Sequence, residues 1–225
     1  MDSVGTATFG FPMFPYPSQP PVVILPATAG TIRTKHLILR PLALSDADDI
    51  FEYRRLRTVA DFFSSEKPHK DVEESRECIR KTIFTTPDAS GTWHRQFFFA
   101  ILLVDDPIEK VIGTVGVSAL CPAPTLEFST HPSTWNRGLA TEAVRACVDA
   151  WCKLPRVKIN PDGTATPEKL FAWSDYSNGA GRRVLEKCGF ERYQDLLLSR
   201  DEKSLFELKN PGIYLSKLDE DAIGL

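Results

Sequence analysis

The chain has 225 residues, a length that suits one domain with decorations better than two. It is 42 % hydrophobic and 25 % charged, so it can bury a core and is not a disordered polymer. A net charge of −3 supplies no global basic field for nucleic acid or an anionic membrane, and no apolar run is long enough to cross a bilayer.

Residues 1–30 are rich in Pro, Gly, Ser and Thr and carry no Lys or Arg. No positive region precedes an apolar run, so no secretory signal is expected. The stretch reads as an irregular arm. Its Phe9, Phe11, Phe14 and Tyr16 belong either to a loose tail or to a segment docked on the domain or on a partner chain. Residues 31–225 are expected to form the domain. A strand is expected over Thr31–Leu42. Ser45 then offers a side-chain cap for a helix running to about Phe62, with Asp46 and Asp48 at its positive end. A second helix is expected from Asp71 to Phe84.

The unbroken apolar run Phe97–Val104 predicts a central strand buried on both faces. A turn at Asp105–Pro107 leads to a hairpin partner over Val111–Leu120. A further strand is expected at Thr125–Thr130. The clearest helix follows Gly138, with Leu139, Ala143, Ala146, Cys147 and Ala150 on one stripe. Pro155–Pro167 reads as a polar loop, Leu170–Trp173 as a short strand and Gly179–Lys187 as a short helix stopped at Gly189. Two last strands are expected near Tyr193–Leu198 and Ile213–Leu218. Strands and helices are thus interspersed, which points to an α/β (α+β) fold with a mixed sheet flanked by helices.

The five cysteines are odd in number and contain no C-x-x-C pair, which favours reduced thiols and a cytoplasmic protein. The four histidines are scattered and not at metal spacing, so no metal is expected.

Chemistry concentrates between Leu126 and Ala143, LEFSTHPSTWNRGLATEA. A strand, a glycine-bearing turn and a helix start make an anion cradle, because the first N–H groups of a helix have no internal partner and the dipole adds positive charge there. One glycine alone is equally compatible with an ordinary turn. The segment HPSTWNRGLATEA, however, resembles the signature of the GNAT superfamily of N-acetyltransferases. It is closest to the branch of the ribosomal-protein-alanine acetyltransferases, with Asn136 where that branch often has Gly and Arg137 in place of Lys. Downstream, Asn178–Phe190, NGAGRRVLEKCGF, matches the branch's second motif, except that Gly181 replaces a usual Ser. The opening LILRPLALSDADDIF also resembles the branch. The resemblance covers about Ile32 to Leu218.

This resemblance implies a mostly antiparallel sheet with a V-shaped splay between the fourth strand, Thr125–Thr130, and the fifth, Leu170–Trp173. It implies acetyl-CoA as acetyl donor, with its pantetheine arm along the backbone of Phe128, Ser129, Thr130 and His131. The pyrophosphate would lie at the turn and helix start, at Asn136, Arg137, Gly138, Leu139, Ala140 and Thr141. Asn178 would contact the arm, or cap its helix, or both. Arg182 and Arg183 would meet nucleotide phosphates or remain surface charges. The acceptor would be an amine, either a protein N-terminus or a small molecule, held by a monomer or homodimer.

Alternation along the strand puts Glu127 and Ser129 on one face, opposite Leu126 and Phe128. Glu127 is the candidate base, directly or through water, against the alternative of a solvent-facing strand residue. A backbone N–H near Ser129 would polarise the thioester carbonyl. Tyr176 is a candidate proton donor, with Ser177 as a substitute. Asp61, Phe62 and Phe63 are candidates for receiving the amine. The alternative function is a catalytically weak acyl-CoA-binding module of the same fold, favoured only by Gly181.

Overall fold

The computed structural model describes residues 21–63, 67–158, 168–198, 201–209 and 214–215. Five helices and ten strands are present among them: β1 (Ile32–Arg33), β2 (Leu37–Pro41), α1 (Ala47–Arg54), α2 (Arg57–Ala60), α3 (Val72–Arg80), β3 (Phe97–Leu103), β4 (Gly113–Ala119), β5 (Thr125–Thr130), α4 (Leu139–Cys152), β6 (Arg156–Val157), β7 (Lys169–Asp175), α5 (Gly179–Lys187), β8 (Glu191–Leu198), β9 (Asp201–Lys209) and β10 (Tyr214–Leu215). Eight strands form one sheet in the order β1-β2-β3-β4-β5-β7-β9-β8, and the β5–β7 pair alone runs parallel in it. This is the mixed, mostly antiparallel sheet flanked by helices that the pattern predicts.

β3 sits inside the sheet and is apolar on both faces for a reason. Phe97, Phe99 and Ile101 pack with α4, where Trp151 meets Phe97 edge-on at 5.2 Å between ring centroids. Phe98, Ala100 and Leu102 pack with Ile50 and Tyr53 of α1 and Ile79 of α3. The sheet therefore has helices on both sides, α4 and α5 on one and α1–α3 on the other. Burial of each such large side chain stabilises by about 1.5–3 kcal/mol.

The structure departs from the expected elements in several places, the first being the strand expected over Thr31–Leu42, which is two antiparallel strands, β1 and β2. The predicted first helix breaks at Leu56, whose ψ of 127° is extended, so α1 and α2 are separate and α2 starts in a new direction. Ser45 caps nothing. No side chain caps α1: the Asp46 carboxylate turns back to accept from the Ala43 N–H at 2.9 Å, and Arg40 clasps it at 2.7 and 2.8 Å. At the C-terminal end the strand joining β7 is β9, which the sequence pattern left out because charged residues interrupt its alternation. The stretch predicted at Ile213–Leu218 instead supplies β10, which pairs with β6 outside the main sheet. β6 itself opens the segment read as a loop, of which residues 159–167 lie outside the described residues.

Of the N-terminal stretch, Phe9, Phe11, Phe14 and Tyr16 lie outside the described residues. Residues 21–30 lie against the domain. Val23 and Leu25 are buried in the core shared with α4. Ile24 N–H donates to Pro155 O, Val157 N–H to Val22 O and Ala89 N–H to Val23 O. These bonds dock the segment beside β6.

Buried charge marks the edge of the sheet nearest α5. Lys203 on β9 is fully buried and donates to Asp175 Oδ2 at 2.7 Å. Burial pushes the Asp175 carboxyl up, but the Lys203 ammonium and the Ser177 donors outweigh it and hold it below its ordinary value. The folded value lies under the unfolded one, so this stabilisation is present above the unfolded carboxylate range and is lost as pH falls through the folded value. Asp175→Asn leaves Lys203 uncompensated, and a loss of about 3 kcal/mol at pH 7 is expected. Urea unfolding at pH 7 and in acid checks it: the gap between variant and wild type closes as pH falls, and a constant gap would contradict the pair's role.

Candidate functional site

β5 and β7 pair only at Thr125–Phe171 and Leu126–Ala172. β5 then continues to Thr130 against β4, and β7 continues to Asp175 against β9. From Glu127 onward the two parallel strands have parted, and a cavity of about 440 Å³ opens between them. Its walls come from β5, β7, α2, α5 and the start of α4.

The turn from β5 into α4 is built from left-handed residues. Asn136 has φ 60° and Gly138 has φ 78°. Asn is one of the few L-residues that accept this region readily, which accounts for its standing where the resembling branch often has Gly. A β-carbon on Gly138 would have no atom within 4 Å, so its requirement is the positive φ and the open space beside it. No side chain caps α4. The N–H groups of Leu139, Ala140 and Thr141 meet no acceptor among the described residues. Three amides and the helix dipole thus face the cavity end, and Arg183 and Lys187 of α5 line the same cavity.

α5 brings a second polar group. Asn178 Oδ1 accepts the Gly181 N–H at 2.8 Å and so caps the helix. A β-carbon on Gly181 would lie 2.7 Å from Asn178 Nδ2, so the absence of a side chain there lets Asn178 fold back over the helix start. Asn178 lines the cavity in this pose.

Glu127 and Ser129 share the sheet face toward α1–α3, as alternation predicts, since Leu126 and Phe128 pack with α4 and α5 on the other. Ser118 Oγ donates to Glu127 Oε1 at 2.8 Å and orients the carboxylate. Ser129 Oγ lies 3.3 Å from Tyr53 Oη and 3.1 Å from Thr114 Oγ1. Tyr53 is fully buried, and burial raises its phenol above the ordinary range despite the Ser129 and Thr114 hydrogen bonds. The sequence offered no local signal for this hydroxyl cluster, because Tyr53 is 76 residues from Ser129.

Among the predicted site residues, the cavity wall gathers Glu127, Phe128, Ser129, Thr130, Asn136, Gly138, Leu139, Ala140, Thr141 and Asn178. His131, Arg137, Tyr176 and Arg182 are not part of it. His131 donates its backbone N–H to Ile112 O, and its ring caps the turn at Ser133. The Arg137 side chain lines a separate depression with His36, Asp105 and Asp106. Arg182 stacks over the Tyr176 ring at 4.8 Å. The reason is helical phase: Ala180, Gly181, Arg183, Val184 and Lys187 form the cavity-facing stripe of α5, and Arg182 lies beside it. Asp61 is exposed and pairs with Arg57, whereas Phe62 and Phe63 do line the cavity. Trp173 and Ser174, on the neighbouring strand across the gap, also line it.

A family profile described as "Acetyltransferase (GNAT) domain" matches residues 36–191, more than half of the chain. The chain belongs to the GNAT acetyltransferase family. Solved GNAT structures share the fold at low identity. An acetyltransferase (GNAT family) from Bacillus anthracis is 15 % identical, with 80 % of this chain and 99 % of that one covered and a TM-score of 0.61. A putative ribosomal-protein-serine acetyltransferase from Vibrio cholerae is 16 % identical over 81 % and 99 %, TM-score 0.53. Spermidine N-acetyltransferase from Vibrio cholerae, solved with CoA and spermine, is 16 % identical over 79 % and 97 %, TM-score 0.57. No curated protein sequence compared with the chain matches it. Among the described residues no three His, Cys, Asp or Glu side chains come together as a metal site, and no helix is long and apolar enough to cross a membrane.

Proposed function

We propose that this GNAT protein is an acetyl-CoA-dependent N-acetyltransferase acting on an amine. The observation that carries the reading is the parted pair β5 and β7 leading to the uncapped start of α4. The unpaired side of β5 suits a chain of amides such as pantetheine. The left-handed turn at Asn136–Gly138 and the free N–H groups of Leu139, Ala140 and Thr141 suit a diphosphate. Asn178 Nδ2 would donate to the arm, while its Oδ1 caps α5. Arg183 and Lys187 supply positive charge beside the phosphate end.

Bound acetyl-CoA supplies an activated acyl thioester. Glu127 removes the proton that keeps the acceptor amine from attacking, directly or through water. The amine nitrogen forms a bond to the acyl carbon, the carbon–sulfur bond breaks, and the departing sulfur takes up, through water, the proton that the nitrogen sheds on becoming an amide, leaving as the free thiol. A β5 backbone N–H near Ser129 donates to the carbonyl oxygen as it gains charge. The Tyr53, Ser129 and Thr114 hydroxyls hold the neighbouring wall in place. Tyr176, turned beneath Arg182, takes no part as proton donor in this scheme.

Calorimetric titration with acetyl-CoA, followed by thiol release with a panel of amines, tests the reading. Saturable binding and amine-dependent thiol release are expected. Binding without release would assign the chain to the cofactor-binding alternative, and no binding would overturn the cradle.

A further inference from the structure

We propose that the acceptor is a small primary amine carrying a bulky, apolar group of aromatic size, and that Phe62, Phe63 and Trp173 set this preference. The inference rests on the acetyl-transfer reading above and concerns the opposite end of the same cavity.

The sheet divides the cavity wall by chemistry. Leu170 and Ala172 pack toward α4 and α5, so alternation turns Trp173 to the other face, where Glu127 and Ser129 also project. The break at Leu56 sets α2 apart from α1, and the turn after α2 delivers Phe62 and Phe63 to that side, with Phe62 N–H bonded to Val59 O and Phe63 N–H to Ala60 O. The acceptor face therefore combines Val59, Phe62, Phe63 and Trp173 with the hydroxyl of Ser129 and the carboxylate of Glu127.

Two of the three rings already carry a protein cation. The buried Arg54 guanidinium stacks 3.8 Å from the Phe63 centroid, and the buried Lys203 ammonium lies 5.6 Å from that of Trp173. A cation held over one face draws on the same π density that a second cation would need. These rings thus favour apolar contact over a further ammonium. Glu127 matches the one ammonium that enters to react, and the rest of the acceptor is left against rings. A polyamine would have to place additional positive charge against Phe63 and Trp173, both already committed.

The test uses the full chain with acetyl-CoA and three probes: 2-phenylethylamine, spermidine and a short peptide with an N-terminal alanine. We expect kcat/KM for 2-phenylethylamine to exceed the other two by at least about tenfold. Phe62→Ala is expected to raise KM for 2-phenylethylamine about tenfold and leave acetyl-CoA affinity unchanged, with Phe62→Leu recovering part of the loss. Unchanged acetyl-CoA affinity also certifies that the variants fold. Preference for spermidine or the peptide, or an unmoved KM in Phe62→Ala, would overturn the acceptor assignment while leaving acetyl transfer intact. Failure of the wild type to bind acetyl-CoA would overturn both.

Discussion

Glu127→Gln is expected to lower turnover by about 100-fold or more, the contribution of a positioned base, and to leave acetyl-CoA affinity at the wild-type value. The substitution keeps the shape of the side chain. Ser118 Oγ can still donate to the amide oxygen at the place where it now meets Glu127 Oε1, so the strand and its hydrogen bond persist. What disappears is the capacity to take a proton. Glu127 lies on the α1–α3 face, whereas the proposed diphosphate cradle lies at the α4 turn, so cofactor binding and proton removal should separate in this variant. Steady-state kcat and calorimetric Kd for acetyl-CoA measure the two. An unaltered kcat would remove Glu127 from the mechanism.

Gly138→Val is expected to weaken acetyl-CoA binding by at least about 100-fold, equivalent to about 2.7 kcal/mol. Two costs combine. At φ 78° an L-residue gives up about 1–2 kcal/mol, and a β-branched one tolerates the region worst. The new side chain also stands in the open space beside the three free amides, where charge-assisted bonds of about 1.5–3 kcal/mol each would otherwise form. Gly138→Asn separates the two costs, since Asn tolerates the backbone but still fills the space. Calorimetry on both variants decides the matter: affinity within a few-fold of wild type in Gly138→Val would disprove the cradle.

Much of this could be read from residues alone, for physical reasons that differ from place to place. The run FFFAILL is apolar without alternation because helices cover both faces of β3. The α4 stripe and the turn before it carry their geometry locally, so the spacing of Gly138 and the apolar positions sufficed. Alternation also placed Glu127 and Ser129 on a common face. Non-local features were illegible. β9 holds buried Lys203 because Asp175, 28 residues earlier, neutralises it, and no reading of β9 by itself announces such a strand. The break at Leu56 is decided by how α1 and α2 pack. Arg182 and Arg183 are neighbours in sequence, and only the rotation of α5 against the sheet tells which one reaches the cavity. Tyr53 meets Ser129 across 76 residues of chain.

The two residue pairs between β5 and β7 have a mechanical meaning. The sheet behaves as two plates riveted at one end, the larger ending in β5 and the smaller made of β7, β9 and β8. Whatever lies in the gap and touches both plates serves as a brace. Acetyl-CoA should therefore slow amide exchange on both sides of the seam together and raise the unfolding temperature, whereas a molecule gripping a single plate would protect that plate alone.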